Sequence, residues 1–316
     1  MRHQQARRLG ITPEITSSKL CDNISPTEPR IIDYQMNTHS STPLTPEDIA
    51  AFHRDGYVIK RAWFSSAEVG RLLSFARGDR DMLDAGMPIT DANGRNSKLT
   101  LWNHPGDDLY GMFSRCPRVV AASAQLLGEE AYHWHSKMML KEPKVGGAWE
   151  WHQDYGYWYL NGCLFPTMLS CMVAVDRADK ENGCLQVLKG SHLLGRIDHG
   201  RNGTQVGADP ERMNEAMKRF PVIHFEAEPG DAVFFHGNTL HASGPNLSER
   251  SRWSLVMAYN ARSNSPFCTT SHPFYTPIDP VGDDAIMAWT PERARTGKRS
   301  FIRMEDDVSL KAVGAV

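Results

Sequence analysis

Apolar residues follow two different periods along the chain. Up to about residue 127 they recur at helical spacing, and from about residue 132 to 259 they come in short runs separated by Gly, Pro and Asn. Thr45-Pro46-Glu47-Asp48 supplies an N-cap, a proline at the first helical position and acidic residues in the first turn. This predicts a helix that runs through Phe52 and is stopped by Gly56. Tyr57-Val58-Ile59 predicts a strand, and Ser65 or Ser66 caps a second helix that places Val69, Leu72, Leu73 and Ala76 on one face. A third amphipathic helix is predicted over 117–127, closed by Gly128. Between the second and third helices, the Gly-, Asp- and Pro-rich stretch from Gly78 to Gly94 reads as a surface loop.

Strands are predicted at 132–140, 168–175, 184–188, 222–225, 232–236 and 253–259, with one helix over 210–219 among them. The tail beyond Phe274 reads as irregular and polar. Helices first and many short strands afterwards predict an α+β fold, a double-stranded β-helix (a cupin-like jelly roll) flanked by N-terminal helices. Neither a repeat nor a linker interrupts 44–316, so one domain is expected there. Residues 1–43 are polar, carry several Arg and His and have no apolar period, and so read as a disordered leader. The alternatives are a mitochondrial transit peptide in residues 1–35 or a natural start at Met36; without a transit peptide the expected location is the cytoplasm.

Composition removes several classes of function. A chain of 316 residues, 41% hydrophobic and 23% charged, can bury a large core. Its formal net charge of -2 gives no basic field for nucleic acid, and no run approaches the roughly 20 apolar residues of a membrane span. The six cysteines are scattered without a CxxC pair, as expected of reduced thiols rather than disulfides. The expected partner is a small molecule, and the expected state a monomer or homodimer.

In Trp151-His152-Gln153-Asp154 a strand would send His152 and Asp154 to one face, because side chains alternate with period two. An imidazole and a carboxylate joined by a second, distant imidazole make a facial triad that leaves positions open on Fe(II). The later segment from Pro229 to Asn246 runs from a turn through an apolar strand into two histidines, His236 and His241, either of which could complete the set. After the Gly-Pro-Asn turn come Arg250 and Arg252, and a hairpin there would return one arginine toward the metal. Its planar fork suits a carboxylate held by two parallel hydrogen bonds.

His152-Gln153-Asp154, Glu181-Asn182-Gly183-Cys184-Leu185 with Gly190-Ser191-His192, and Gly230-Asp231 through Arg252 together resemble the phytanoyl-CoA dioxygenase family, which includes ectoine hydroxylases. The resemblance spans roughly 45–260. It implies an Fe(II)-dependent dioxygenase that consumes 2-oxoglutarate and O₂, releases succinate and CO₂, and is activated by ascorbate. His152, Asp154 and His241 would then be the metal ligands and catalytic centre, and Arg252 the co-substrate clamp. His236 would sit behind or near the site, and Arg250 would be a solvated turn residue. The resemblance also places a co-substrate lysine before the HxD segment, with Lys98 the candidate, Lys137 a further contact position and Lys141 an alternative. The carboxylate of Asp154 implies hydroxylation rather than halogenation.

Asn182-Gly183 and Gly190-Ser191 read first as turn formers. Within the aromatic run Trp149, Trp151, Tyr155, Tyr157, Trp158 and Tyr159, the residues Tyr155, Tyr157 and Trp158 are candidates for a substrate pocket that could hold a cationic group, with Asn260 and Arg262 at its mouth. The expected substrate is a small polar metabolite. Rival readings are a fatty acyl-CoA 2-hydroxylase, a cupin-like metal-binding protein without turnover, and a zinc hydrolase, which would leave Arg252 unexplained.

Overall fold

The computed structural model describes residues 43–202, 205–291 and 300–303, all within the compact unit Thr42–Val316. The expected leader, the transit peptide and the start at Met36 lie outside the described residues. Helix α1 (Pro46–Asp55) opens with a reciprocal cap: the Thr45 hydroxyl accepts the Asp48 N–H while the Asp48 carboxylate accepts the Thr45 N–H. It ends at Gly56, which takes the left-handed conformation that Gly adopts without strain. β1 (Tyr57–Lys60) follows, then α2 (Ser66–Gly78), capped the same way by Ser65 and Glu68.

The expected surface loop between Gly78 and Gly94 is instead α3 (Arg80–Asp84) and β2 (Met87–Thr90), which pairs with β3 (Asn96–Trp102). Its few apolar residues suffice because they have tertiary partners, Met82 being fully buried. α4 (Leu109–Ser114) and α5 (Pro117–Leu127) complete the helical layer. Then come β4 (Ala131–Lys141), β5 (Trp149–His152), α6 (Asp154–Trp158), β6 (Met168–Ala174) and β7 (Leu185–Leu188). A small hairpin, β8 (His199–Asn202) and β9 (Gln205–Ala208), precedes α7 (Pro210–Arg219) and β10 (Val222–Phe225). The last core strands are β11 (Ala232–His236), β12 (His241–Ser243) and β13 (Arg252–Ala261), followed by α8 (Ala285–Ala288).

All strand pairs are antiparallel. A seven-stranded sheet runs β1-β11-β6-β13-β4-β3-β2, and a four-stranded sheet runs β10-β7-β12-β5. Alternation along β6 shows how the large sheet is buried on both sides. Met172 and Ala174 face Leu185, Val187 and Phe225 of the small sheet, whereas Cys171 and Val173 pack with Val119, Ala122 and Leu126 of α5. This is a jelly roll with helices on its outer face. The tail is less irregular than expected: Trp289 lies 5.0 Å from Phe75 in the helical layer, and Ile302 bridges Leu101 on β3.

Candidate metal and 2-oxoglutarate site

His152 and Asp154 do not share a strand. β5 ends at His152, and Asp154 is the first residue of α6, so the two side chains meet across a strand-to-helix turn rather than by two-residue alternation. Gln153 fixes that turn. Its amide donates to the carbonyls of Gly195 and Asn238 and accepts the Ile197 N–H, while its own N–H donates to His199 Nε2. Tyr155 N–H donates to Gly237 O, anchoring the first turn of α6 against the segment that leads to β12. On β12, His241 stands directly opposite His152 in register, with ring centroids 4.1 Å apart.

Asp154 Oδ1 lies 3.9 Å from His152 Nε2 and 3.8 Å from His241 Nε2, and a ligand atom from each of the three residues lies within 4.8 Å of the others. Both imidazoles donate Nδ1–H to a backbone carbonyl, of Glu150 at 2.7 Å and of Thr239 at 2.9 Å. Each therefore turns the lone pair of Nε2 toward the common centre. Burial, and for His152 also the neighbouring His241, depresses both histidines and keeps them neutral. Burial would raise the Asp154 carboxyl, but Lys137 and the Ser170 hydroxyl outweigh it and hold it below the usual carboxylate range. Ser170 Oγ donates to Asp154 Oδ2 at 2.7 Å, and Lys137 Nζ lies 3.5 Å from Oδ1. Two neutral imidazoles and an ionised carboxylate, converging with unprotonated ligand atoms, form a donor set that fits Fe(II).

Arg252 begins β13 in the large sheet, so it reaches the site by a crossover between sheets and not through the expected hairpin. It is fully buried, donates Nε–H and Nη2–H to Gly183 O at 3.1 and 2.6 Å, and donates Nη1–H to Ser254 Oγ at 3.1 Å. None of the ion pairs among the described residues supplies it a carboxylate. Burial pulls its guanidinium down to about 10, so at neutral pH it remains a buried cation awaiting an anion. Asn182-Gly183, a turn by its sequence, thus supplies the carbonyl that orients the arginine. Gly183 is needed there, because its φ is 77° and a Cβ would lie 2.2 Å from Gly244 O. Lys141 faces Arg252 in register across β4 and β13. Burial first, and then Arg252, lower its ammonium well below the ordinary lysine value; Nζ donates to Ser243 Oγ at 2.7 Å and to Gly244 O.

Two cavities meet at the triad and share Lys137, Trp149 and His152. One reaches Arg252 past His241 and Ser243, and the other opens toward β2 and β3 and is lined by Tyr157 and Trp158. Lys137 therefore lies at the junction. Lys98 does not reach either cavity: on β3 the alternating residues Leu99 and Leu101 face inward, whereas Lys98 is exposed on the outer face with its Cδ over Gly86. Tyr155 is buried among aromatic residues with its hydroxyl donating to Cys163 O, away from the cavity. Asn260 is interior to β13 rather than in a mouth loop, its amide donating to Tyr132 Oη and Asn264 O. Arg262 pairs with Glu130 on the surface. His236 packs against Phe52 and His192, and Arg250, half-exposed in the turn before β13, pairs with Asp179 and Glu181. Ser170, Ser243, Gly183 and the Gln153 brace were not singled out as site residues from sequence; only the motif context of Gln153 and Gly183 pointed that way.

Residues 52–254 match the phytanoyl-CoA dioxygenase family. An L-proline trans-4-hydroxylase of Streptomyces griseoviridis is 29% identical over 58% of this chain and 76% of the relative. An ectoine dioxygenase of Bordetella bronchiseptica is 28% identical over 70% and 77%. The crystal structure of EctD from S. alaskensis with bound Fe superposes with a TM-score of 0.59, at 24% identity, over 84% of this chain and 90% of that one. With a family match over residues 52–254, which span most of the jelly roll and hold His152, Asp154 and His241, the chain belongs to the phytanoyl-CoA dioxygenase family.

Proposed function

We propose that this iron(II)- and 2-oxoglutarate-dependent dioxygenase hydroxylates a small metabolite through His152, Asp154 and His241 as iron ligands and Arg252 as the clamp on the distal carboxylate of 2-oxoglutarate. The observation that carries the reading is the buried Arg252, without a carboxylate partner among the described residues, opening on the same cavity as the triad. A zinc hydrolase would need the three ligands but not that cation. When bound, the iron supplies O₂ activation coupled to decarboxylation of 2-oxoglutarate to succinate and CO₂.

The protein's own part is positional. Glu150 O and Thr239 O hold the two imidazoles by Nδ1–H, and Ser170 holds Asp154. Gly183 O and Ser254 Oγ set the guanidinium so that its remaining N–H groups face the cavity. Lys141 donates to Ser243 Oγ, so the Ser243 hydroxyl proton is directed elsewhere and can be donated to the same carboxylate. Tyr157 and Trp158 form a wall of the substrate side, a cavity of about 90 Å³ that suits a compact metabolite better than an acyl-CoA. The relatives named for proline and ectoine act on small molecules.

None of the described helices is long and apolar enough to cross a membrane, and the described cysteines are free thiols, as suits a reducing compartment. Anaerobic titration of the Fe(II)-loaded protein with 2-oxoglutarate tests the reading. A weak visible charge-transfer band is expected in the native protein and should be lost in His241→Ala. A folded, iron-loaded native protein without the band would overturn it.

A further inference from the structure

Two polar atoms in the wall of the substrate-side cavity have no hydrogen-bond partner, His135 Nε2 and Asn161 Oδ1. Their residues are only 6% and 1% exposed, so bulk water does not compensate them. Both are held in place by other contacts. His135 projects from β4 on the same side as Lys137, and its Nδ1 lies 3.1 Å from Nε2 of His272, a residue of the segment after β13. The His272 ring stacks on Trp134 at 4.6 Å, and the His135 ring meets the edge of Trp158 at 5.8 Å. Asn161 Nδ2 donates to Tyr157 O at 3.3 Å, which leaves Oδ1 for the cavity.

A hydroxyl can donate or accept, so the His135–His272 pair has two arrangements, and one of them makes His135 a donor to the cavity. Ser271 Oγ lies 3.4 Å from His272 Nδ1. A hydroxyl donating there leaves the His272 proton on Nε2, which donates to His135 Nδ1, so His135 turns Nε2–H into the cavity. In that arrangement the wall offers a donor, His135 Nε2–H, beside the acceptor Asn161 Oδ1. The charged residues that line the cavity are Lys137, Arg303 and Asp154, and Asp154 belongs to the triad. The remaining surface is largely apolar and includes Leu99, Leu101, Trp149 and Trp158.

Building on the dioxygenase reading, we infer that this wall recognises a small amino or imino acid. The substrate carboxylate accepts His135 Nε2–H on the side of the cavity lined by Lys137. The substrate N–H donates to Asn161 Oδ1, and the hydrocarbon body lies against the indole faces within reach of the triad. A quaternary ammonium, one form of the cationic group expected at Tyr155, Tyr157 and Trp158, has no N–H for Asn161.

The test screens the proteinogenic L-amino acids against protein loaded anaerobically with Fe(II) and 2-oxoglutarate, reading the shift of the charge-transfer band, then succinate release in air. At least one amino acid is expected to bind and stimulate succinate release. His135→Phe and Asn161→Leu should each weaken its binding by about tenfold or more, the loss of a hydrogen bond to a charged group, with 2-oxoglutarate affinity unchanged. His135→Gln, which restores an N–H donor, should recover much of the loss. The carboxamide of the same amino acid should bind about tenfold more weakly than the acid. Failure of every amino acid to bind a protein that shows the band, or binding unaltered in both variants, would overturn the inference. Absence of the band itself strikes the dioxygenase reading, so the two failures are distinguishable.

Discussion

Arg252→Met removes the guanidinium while keeping an unbranched side chain of similar reach, and it separates binding from folding. In the native protein Arg252 is a buried cation whose described partners are Gly183 O and Ser254 Oγ. Losing it leaves a carbonyl underpaired, a cost of about 1–3 kcal/mol, but also removes the desolvation penalty of an unneutralised charge, so the apo fold should change little in stability. The ligand, by contrast, loses two charge-assisted hydrogen bonds. At about 1.5 kcal/mol each this is ~3 kcal/mol, or about two powers of ten in the 2-oxoglutarate dissociation constant. At a co-substrate concentration of about 100 Kd the native metal-loaded protein gains ~2.7 kcal/mol of stability, and the variant at the same concentration about 0.4 kcal/mol. For a domain of this size that is a thermal shift of roughly 5–10 °C against about 1 °C. Anaerobic thermal denaturation with Fe(II), with and without 2-oxoglutarate, measures both numbers. Equal protection of Arg252→Met and the native protein would refute the clamp.

Ser170→Ala removes the hydrogen bond to Asp154 Oδ2 and should lower iron affinity by about 10–100-fold with little change in 2-oxoglutarate affinity at saturating iron, measured by competition with a chelator. Lys98→Ala should leave 2-oxoglutarate binding within about twofold of native, because Lys98 is exposed on the outer face of β3; a larger loss by calorimetry would show that it reaches the site. Acid should destabilise the apo fold before its carboxylates titrate. Burial lowers His199 and His236 to about 4 in the folded protein, so between pH 6.5 and 4 the unfolded chain binds more protons. Each then contributes stability that falls as pH falls, with a slope of about 1.4 kcal/mol per pH unit. Urea midpoints of the metal-free protein that stay flat between pH 6.5 and 4.5 would contradict this.

Local signals were strong enough to be read directly wherever the chain carries its own boundary chemistry. Thr45-Pro46, Ser65 and the glycines at 56 and 128 mark helix ends whatever the rest of the molecule does, and the apolar runs at 222–225 and 232–236 begin and end where the strands do. His152, Asp154, His241 and Arg252 were legible from residue type, spacing and family resemblance, and the structure brings all of them to one cavity system. Tertiary structure decided what no local period encodes. Met82 and Ile89 became parts of α3 and β2 because partners elsewhere bury them, and Lys98 turned away because the pairing of β3 with β4 fixes which side of the sheet it occupies. Asp154 reaches the metal position through a turn held by Gln153, whose partners lie at 195, 197 and 238. The His135–His272 pair joins residues far apart in the chain, and so do Arg252 and Gly183. Sequence fixes which groups are available and how each segment begins and ends. Which of those groups face one another, and which are left buried and unsatisfied for a ligand to complete, depends on long-range packing.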